Sequence, residues 1–236
     1  MAKIPAREMI DEVMDFSPRF RSTDLPEATL LRYLSRRLNV LLSDVSIEAP
    51  DIVSVAGAVT KDQIDEALDD ADNDTNSIDV PPFNRILKNV RIRGTSQNPN
   101  VEFPVNVVSL AEQYPVSYEG NIDFPSISIR DSAFLITDIR KFVGGEEHGW
   151  EEYNGPLTYH YVPYYLPLKG LDESFDMPHG LRGALALATA AEVAKRQEMW
   201  DMAANLIGRY PQEIQSFVNQ TIQMRYNVGF GVVQAD

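Results

Sequence analysis

The hydrophobic pattern changes twice along this chain, and those two changes constrain the fold more than any other feature. Near the N-terminus, six leucines repeat at helical spacing: Leu30, Leu31, Leu34, Leu38, Leu41 and Leu42. From Pro81 onward the chain reads "ILKNVRIRG", "SISIRDSAFLITDIRKFV" and "LTYHYVPYYLPL", which are rich in β-branched and aromatic residues. After Pro178 the helical spacing returns. The pattern therefore predicts helices at both ends and strands between them.

Three helices are predicted before the β-rich segment. The first covers Ile4–Phe16, with Pro5 in its first turn, where proline is tolerated. The second begins near Asp24, a predicted cap, with Glu27 three residues later as in a capping box. The third is shorter and begins at Thr60, with Gln63 at the same spacing. It ends in the run "DDADNDTNSID", which predicts an exposed acidic loop.

The middle of the chain predicts a small antiparallel sheet or a set of long hairpins, with roughly four strands. Turn-like stretches such as "GTSQNPN" and "SYEGNID" separate the β-branched runs. Pro104 and Pro163 lack the N–H that a sheet requires, so they predict edge or bulged strands.

Two further helices are predicted after Pro178. Asp176 is the predicted cap of the first, whose many alanines would let a neighbouring backbone come close. The second covers roughly Glu198–Gln223 and contains Pro211, which we expect to kink or split it. The residues expected to pack these helices, within or between subunits, are Leu181, Leu185, Ala188, Ala191 and Leu206.

These patterns give a fold class and a division of the chain. We expect an α+β fold that is mainly helical, with a helix bundle formed at both chain ends and an inserted antiparallel β-rich hairpin domain. The helical core is expected at 1–47 and 176–223. An acidic helix and loop insertion is expected at 48–80, a β-rich domain at 81–175 and an extended C-terminal arm at 224–236.

Charge and composition limit the kinds of partner. The formal net charge is −14, so the chain lacks the clustered Lys and Arg that grip phosphate, although it could still surround DNA. No cysteine is present, which excludes disulfides and thiolate metal sites. The apolar stretches are too short to cross a bilayer, so no membrane partner is expected. The charged N-terminus lacks a secretory apolar stretch, which predicts that the protein stays where it is made.

Nothing in the sequence predicts a catalytic site, a metal or a cofactor. Asp70, Asp72, Asp74 and Asn76 match the start of an EF-hand loop, but the position that needs glycine is occupied by threonine and the final glutamate is a proline. The histidines His148, His160 and His179 lie outside any zinc-binding spacing. Nucleophile elbows and phosphate-binding glycine loops are also missing, so we expect a protein that is not an enzyme.

The C-terminal half resembles a known family. It contains "YHYVPYYLPL", then "DMPHGLRGALALATAAEVAKRQ" and "MAANLIGRYPQEIQSFVNQTI". An aromatic, proline-ended strand that leads into a D-x-P helix start, an alanine and leucine helix and a last helix resembles the head-to-tail connector (adaptor) proteins of tailed bacteriophages, including podoviral tail tubular proteins. The likeness covers Tyr159–Ile222 and, loosely, Ile4–Val45. The long middle, Glu48–Gly155, departs from a minimal adaptor.

This resemblance implies a structural virion protein at the neck, made in the host cytoplasm. It implies a dodecameric homo-oligomeric ring that joins the portal protein to the next tail or neck protein (nozzle, stopper or tail tube). DNA would pass through the lumen without specific binding, and acidic walls would keep it mobile. C-terminal segments of the family commonly reach into the portal, which implies portal-binding residues at Tyr226, Val228, Phe230, Val232 and Val233.

Other readings of the same residues remain open. A tail-completion or terminator protein would have a similar place in a virion, but such proteins are mostly β. A non-viral oligomeric binding module could recognise a peptide or sugar through the tyrosines of the β-rich segment. A hydrolase that uses unrecognised carboxylates is a further alternative. The tail Tyr226–Val233 could equally pack back on its own subunit.

Overall fold

The computed structural model shows a mixed helix and sheet protein, compatible with the α+β class. It describes residues 1–21, 25–69, 76–94, 100–107, 126–130, 132–136, 141–143, 146–148, 153 and 155–229. The chain divides into a helical unit made of residues 1–53 and 164–236 and a β unit made of residues 54–163. Both chain ends therefore belong to one unit, and the middle of the chain forms the other.

The elements are numbered in chain order. The helices are α1 (Ala6–Asp15), α2 (Pro18–Arg21), α3 (Glu27–Glu48), α4 (Pro50–Val53), α5 (Lys61–Asp69), α6 (Arg182–Arg196) and α7 (Trp200–Gly229), with a short 3-10 helix at His179–Leu181. The strands are β1 (Ala2–Pro5), β2 (Val55–Val59), β3 (Asn76–Asp79), β4 (Phe83–Arg93), β5 (Glu102–Pro104), β6 (Asn106–Val107), β7 (Ser126–Arg130), β8 (Ala133–Ile136), β9 (Lys141–Val143), β10 (Glu146–His148), β11 (Leu157–Pro163) and β12 (Ser174–Met177).

Helix α6 lies at the centre of the helical unit. Every residue from Ala184 to Ala191 is buried, so no face of this stretch is open to solvent. Helices α1, α3 and α7 pack against it. Alanine at five of these eight positions allows neighbouring helices to approach α6 closely. The helix is the common packing partner of segments from both ends of the chain.

The β unit is built from two four-stranded sheets. Their strand orders are β2-β11-β4-β5 and β3-β8-β7-β6. Residues of both sheets share one core, together with Ile64 of α5. Tyr159 of β11 packs edge-on against Phe134 of β8, with ring centroids 4.8 Å apart. A further two-stranded pair joins β9 to β10.

The tyrosine-rich strand is one of the two interior strands of its sheet. Strand β11 pairs with β2 on one side and with β4 on the other. Tyr159 lies opposite Gly57, where a Cβ would stand 2.4 Å from the Tyr159 ring. The small residues of β2 thus leave the space that this ring occupies. The tyrosine is 2% exposed and belongs to the core.

The prolines of the β unit lie where the sequence predicts. Pro163 stands at a register shift at the end of β11, and Pro104 ends β5, which is an edge strand. Both predictions are confirmed. The estimate of strand number was too low, because the described part of the β unit alone contains ten strands.

The turn between α6 and α7 is a Schellman motif that lacks its usual glycine. Met199 N–H donates to Ala194 O at 2.9 Å, and Glu198 N–H donates to Lys195 O at 3.1 Å. Glu198 has a φ of 59°, in the left-handed region that glycine occupies most readily. A glutamate therefore holds this position at a conformational cost.

Several predicted helix starts change in the structure. Thr60 and Gln63 do form a capping box, with Thr60 N–H donating to Gln63 Oε1 at 3.0 Å and Gln63 N–H to Thr60 Oγ1 at 3.3 Å. Helix α3 instead begins at Glu27 with Pro26 as its N-cap and no side-chain cap, so the capping box expected there is wrong. Asp24 lies outside the described residues.

The strand pair β1–β12 explains two further corrections. Residues 2–5 pair with residues 174–177 in an antiparallel ladder, so the first helix begins at Ala6 rather than Ile4. Asp176 lies in β12 and is not a cap, and Pro178 precedes the 3-10 helix instead. Both differences from the prediction arise because residues 2–5 pair with residues 174–177, which are distant in the sequence.

The expected domain boundaries also differ. Residues 48–80 are not a separate insertion, because α4 belongs to the helical unit while β2, α5 and β3 belong to the β unit. Residues 76–79 of the predicted acidic loop form β3, which pairs with β8, and residues 70–75 lie outside the described part. Residues 164–175, assigned to the β-rich domain, belong to the helical unit.

The last helix is longer than expected. Helix α7 is continuous across Pro211 and runs to Gly229, so Pro211 does not split it. Residues 224–229, expected in an extended arm, are helical, and Tyr226 and Val228 therefore do not alternate as in a strand. Phe230, Val232 and Val233 lie outside the described residues.

We predict opposite effects for two glycine substitutions in the helical unit. A Cβ at Gly180 would meet the Phe217 ring at 2.3 Å, so Gly180→Ala should lower the free energy of unfolding by about 1–3 kcal/mol through overpacking. A Cβ at Gly208 of α7 meets nothing within 4 Å, so Gly208→Ala should raise it by about 1 kcal/mol through helix propensity. Urea denaturation of both variants measures this. Equal effects would contradict the packing of Phe217 on Gly180.

Candidate interaction surface

The segment that follows the tyrosine-rich strand is tied to α3 by two buried polar side chains. Asn39 Nδ2 donates to Tyr165 O at 2.9 Å, and Tyr165 N–H donates to Asn39 Oδ1 at 2.8 Å. Leu168 N–H donates to Ser35 Oγ at 3.0 Å, while Ser35 Oγ donates to Leu31 O at 2.8 Å. These side chains therefore hold the backbone of residues 165–168 against α3.

Tyr165 fixes the other side of this segment. Its hydroxyl donates to Asp176 O at 2.6 Å and accepts from Asp176 N–H at 3.1 Å. Its ring packs edge-on against Phe175, with centroids 6.3 Å apart. Because Tyr165 turns inward, its neighbours Tyr164 and Leu166 turn outward and are 43% and 67% exposed. This alternation brings two large apolar side chains to the surface.

A continuous exposed stripe follows α3. Its members lie three or four residues apart and share one side of the helix, and we call it the α3 face: Arg32, Arg36, Val40, Ser43 and Ile47. Val40 is 36% exposed and Ile47 is 72% exposed. The face is basic in its first half and apolar in its second.

Charged contacts hold the flank of α3 against α6 and α7. Arg37 forms an ion pair with Glu192, which also pairs with Lys195 at 3.4 Å. Burial lowers the pKa of Arg37 from its usual value. Tyr210 Oη donates to Asp44 Oδ2 at 2.9 Å. These contacts use the side of α3 next to the exposed stripe and leave the α3 face open.

Another ion-pair network joins α6 to α1. Arg182 Nε lies 2.7 Å from Glu12 Oε1, and Arg182 Nη1 lies 3.1 Å from Glu8 Oε2. Hydrogen bonding to Glu12 raises the pKa of Arg182, against the lowering effect of burial. The two carboxylates are thus engaged by the start of α6, which fixes the position of α1.

Helix α7 carries a second exposed apolar stripe. Its residues repeat at spacings of four, three and four, and we call it the α7 face: Trp200, Ala204, Ile207 and Pro211. Trp200 is 64% exposed and Ile207 is 42% exposed. Asp201 lies at the edge of this face and Glu198 lies just before it, and both are exposed. The α7 face is therefore apolar, and exposed charges of both signs lie near its beginning, because Arg196 is exposed as well.

The predicted packing residues all lie inside the chain. Leu181, Leu185 and Ala191 are fully buried, and Ala188 and Leu206 are nearly so. They pack α6 against its neighbours within one subunit, so they leave no surface for a second one. Exposed apolar side chains that could contact another molecule include Val40 and Ile47 of α3 and Trp200 and Ile207 of α7, none of which was among the predicted packing residues.

A usable signal for the anchored segment was present in the sequence. Ser35 and Asn39 are polar residues at i and i+4 that fall on the leucine side of α3 rather than on its outer side. Buried polar side chains need hydrogen-bond partners, so their position indicates a backbone segment packed there. The identity of that segment depends on the tertiary fold.

Histidines and carboxylates are the side chains of this cysteine-free chain that could bind a metal ion. Within the described residues, no three His, Asp or Glu side chains are grouped closely enough to hold a metal ion. His160 and His179 are exposed, on β11 and in the 3-10 helix respectively. The side chain of His148 is outside the described set. In the described part of the chain, no helix combines the length and hydropathy needed to span a bilayer.

Neither a protein-family model nor a curated protein sequence matches this chain. Any functional conclusion must therefore rest on the residues and the geometry described above.

We predict that Asn39→Ala loosens the segment after Tyr164. The substitution takes away both hydrogen bonds to Tyr165, so the free energy of unfolding should fall by about 1–3 kcal/mol. Trypsin should also cleave faster after Lys169. Ser43→Ala, on the exposed side of the same helix, is the matched control and should change neither quantity. Unchanged cleavage in Asn39→Ala would contradict the anchoring role.

We predict a loss of stability at alkaline pH that depends on Tyr210. Burial, followed by the nearby charge of Asp44, raises the pKa of Tyr210. Unfolded tyrosine loses its proton near pH ~10, so above that pH the unfolded state binds fewer protons and stability falls as pH rises. Tyr210→Phe should make this fall less steep, whereas Tyr164→Phe should not. Urea denaturation at a series of pH values measures the slopes.

Proposed function

We propose that this chain is a structural virion protein that forms a dodecameric ring, joins the portal of a phage head to the tail, and conducts DNA. The observation that carries the proposal is the return of both chain ends to a single helical unit, with the middle of the chain set apart as a β unit. We include in this proposal that the helices of the two ends form the bundle of an adaptor core. A connector needs this division, because its helices surround a channel while another part meets the next tail component.

The packing of α6 supports the same proposal. The helix whose alanine-rich pattern resembles that of connector proteins is the one on which α1, α3 and α7 converge. A central helix that is buried on all sides from Ala184 to Ala191 gives a ring subunit one continuous core. The stretch from the β11 tyrosines to α6 is held by Asn39, Ser35 and Tyr165.

The distribution of tyrosines argues against a ligand-binding module. Tyr159 is buried, and Tyr161 lies against it with ring centroids 5.6 Å apart. Burial raises the pKa of both phenols. These rings fill the space between the two sheets of the β unit and are not presented as a platform to a peptide or sugar.

Charge supports passage of DNA rather than its capture. The net charge of −14 repels phosphate, so a channel formed by many copies would not retain the duplex. In this proposal the portal protein and the next neck protein are the specific partners. The proposed portal-binding residues are those of the C-terminal segment, Tyr226, Val228, Phe230, Val232 and Val233.

Electron microscopy of virions tests this proposal. The sequence contains no cysteine, so Leu166→Cys gives a single, 67% exposed position for a gold label. We expect labels arranged as a ring between head and tail. Particles of the unsubstituted protein treated with the same reagent are the control. Labels in the baseplate or over the capsid shell would refute the proposal.

A further inference from the structure

We draw no further inference here: the strongest candidate, the exposed apolar side chains of the α3 face and the α7 face, carries no proposal because nothing in the structure shows what covers them.

Discussion

Helix α6 is surrounded by the rest of the helical unit, and this packing is the constraint on which the architecture depends. Alanines let α1, α3 and α7 approach its backbone, while Leu185 and Leu187 fill the space between them. Since α1 and α3 precede the β unit and α6 and α7 follow it, the burial of α6 requires the chain to leave the helical unit and return. The β1–β12 pair and the Arg182 ion pairs hold the same two ends together.

The return of the chain is fixed at one segment, residues 164–168. Two polar side chains of α3 bind the backbone of this segment, and the inward turn of Tyr165 directs Tyr164 and Leu166 outward. The burial of Tyr165 and the exposure of Tyr164 and Leu166 are therefore coupled. The same hydrogen bonds that anchor the segment also determine which apolar side chains are available to another molecule, beside the exposed face of α3.

Surface composition separates the two roles of the helices. The residues predicted from the sequence to pack the helices are buried within the subunit, whereas Val40, Ile47, Trp200 and Ile207 remain exposed. The helical unit therefore keeps large apolar side chains of both α3 and α7 at its surface.

The sequence by itself determined the elements whose signals are local. Leucine spacing predicted α3, the Thr60 and Gln63 pair predicted the start of α5, and Pro104 and Pro163 predicted an edge and a bulge, since each depends on a few neighbouring residues. Only the tertiary structure decided features that depend on distant partners. Residues 2–5 form a strand because they pair with β12, and residues 76–79 form a strand because they pair with β8. Helix α6 is buried within one subunit because helices from both parts of the chain pack against it. The exposure of the α3 and α7 faces likewise could not be predicted from the sequence, because which side chains stay exposed depends on how the distant parts of the chain pack.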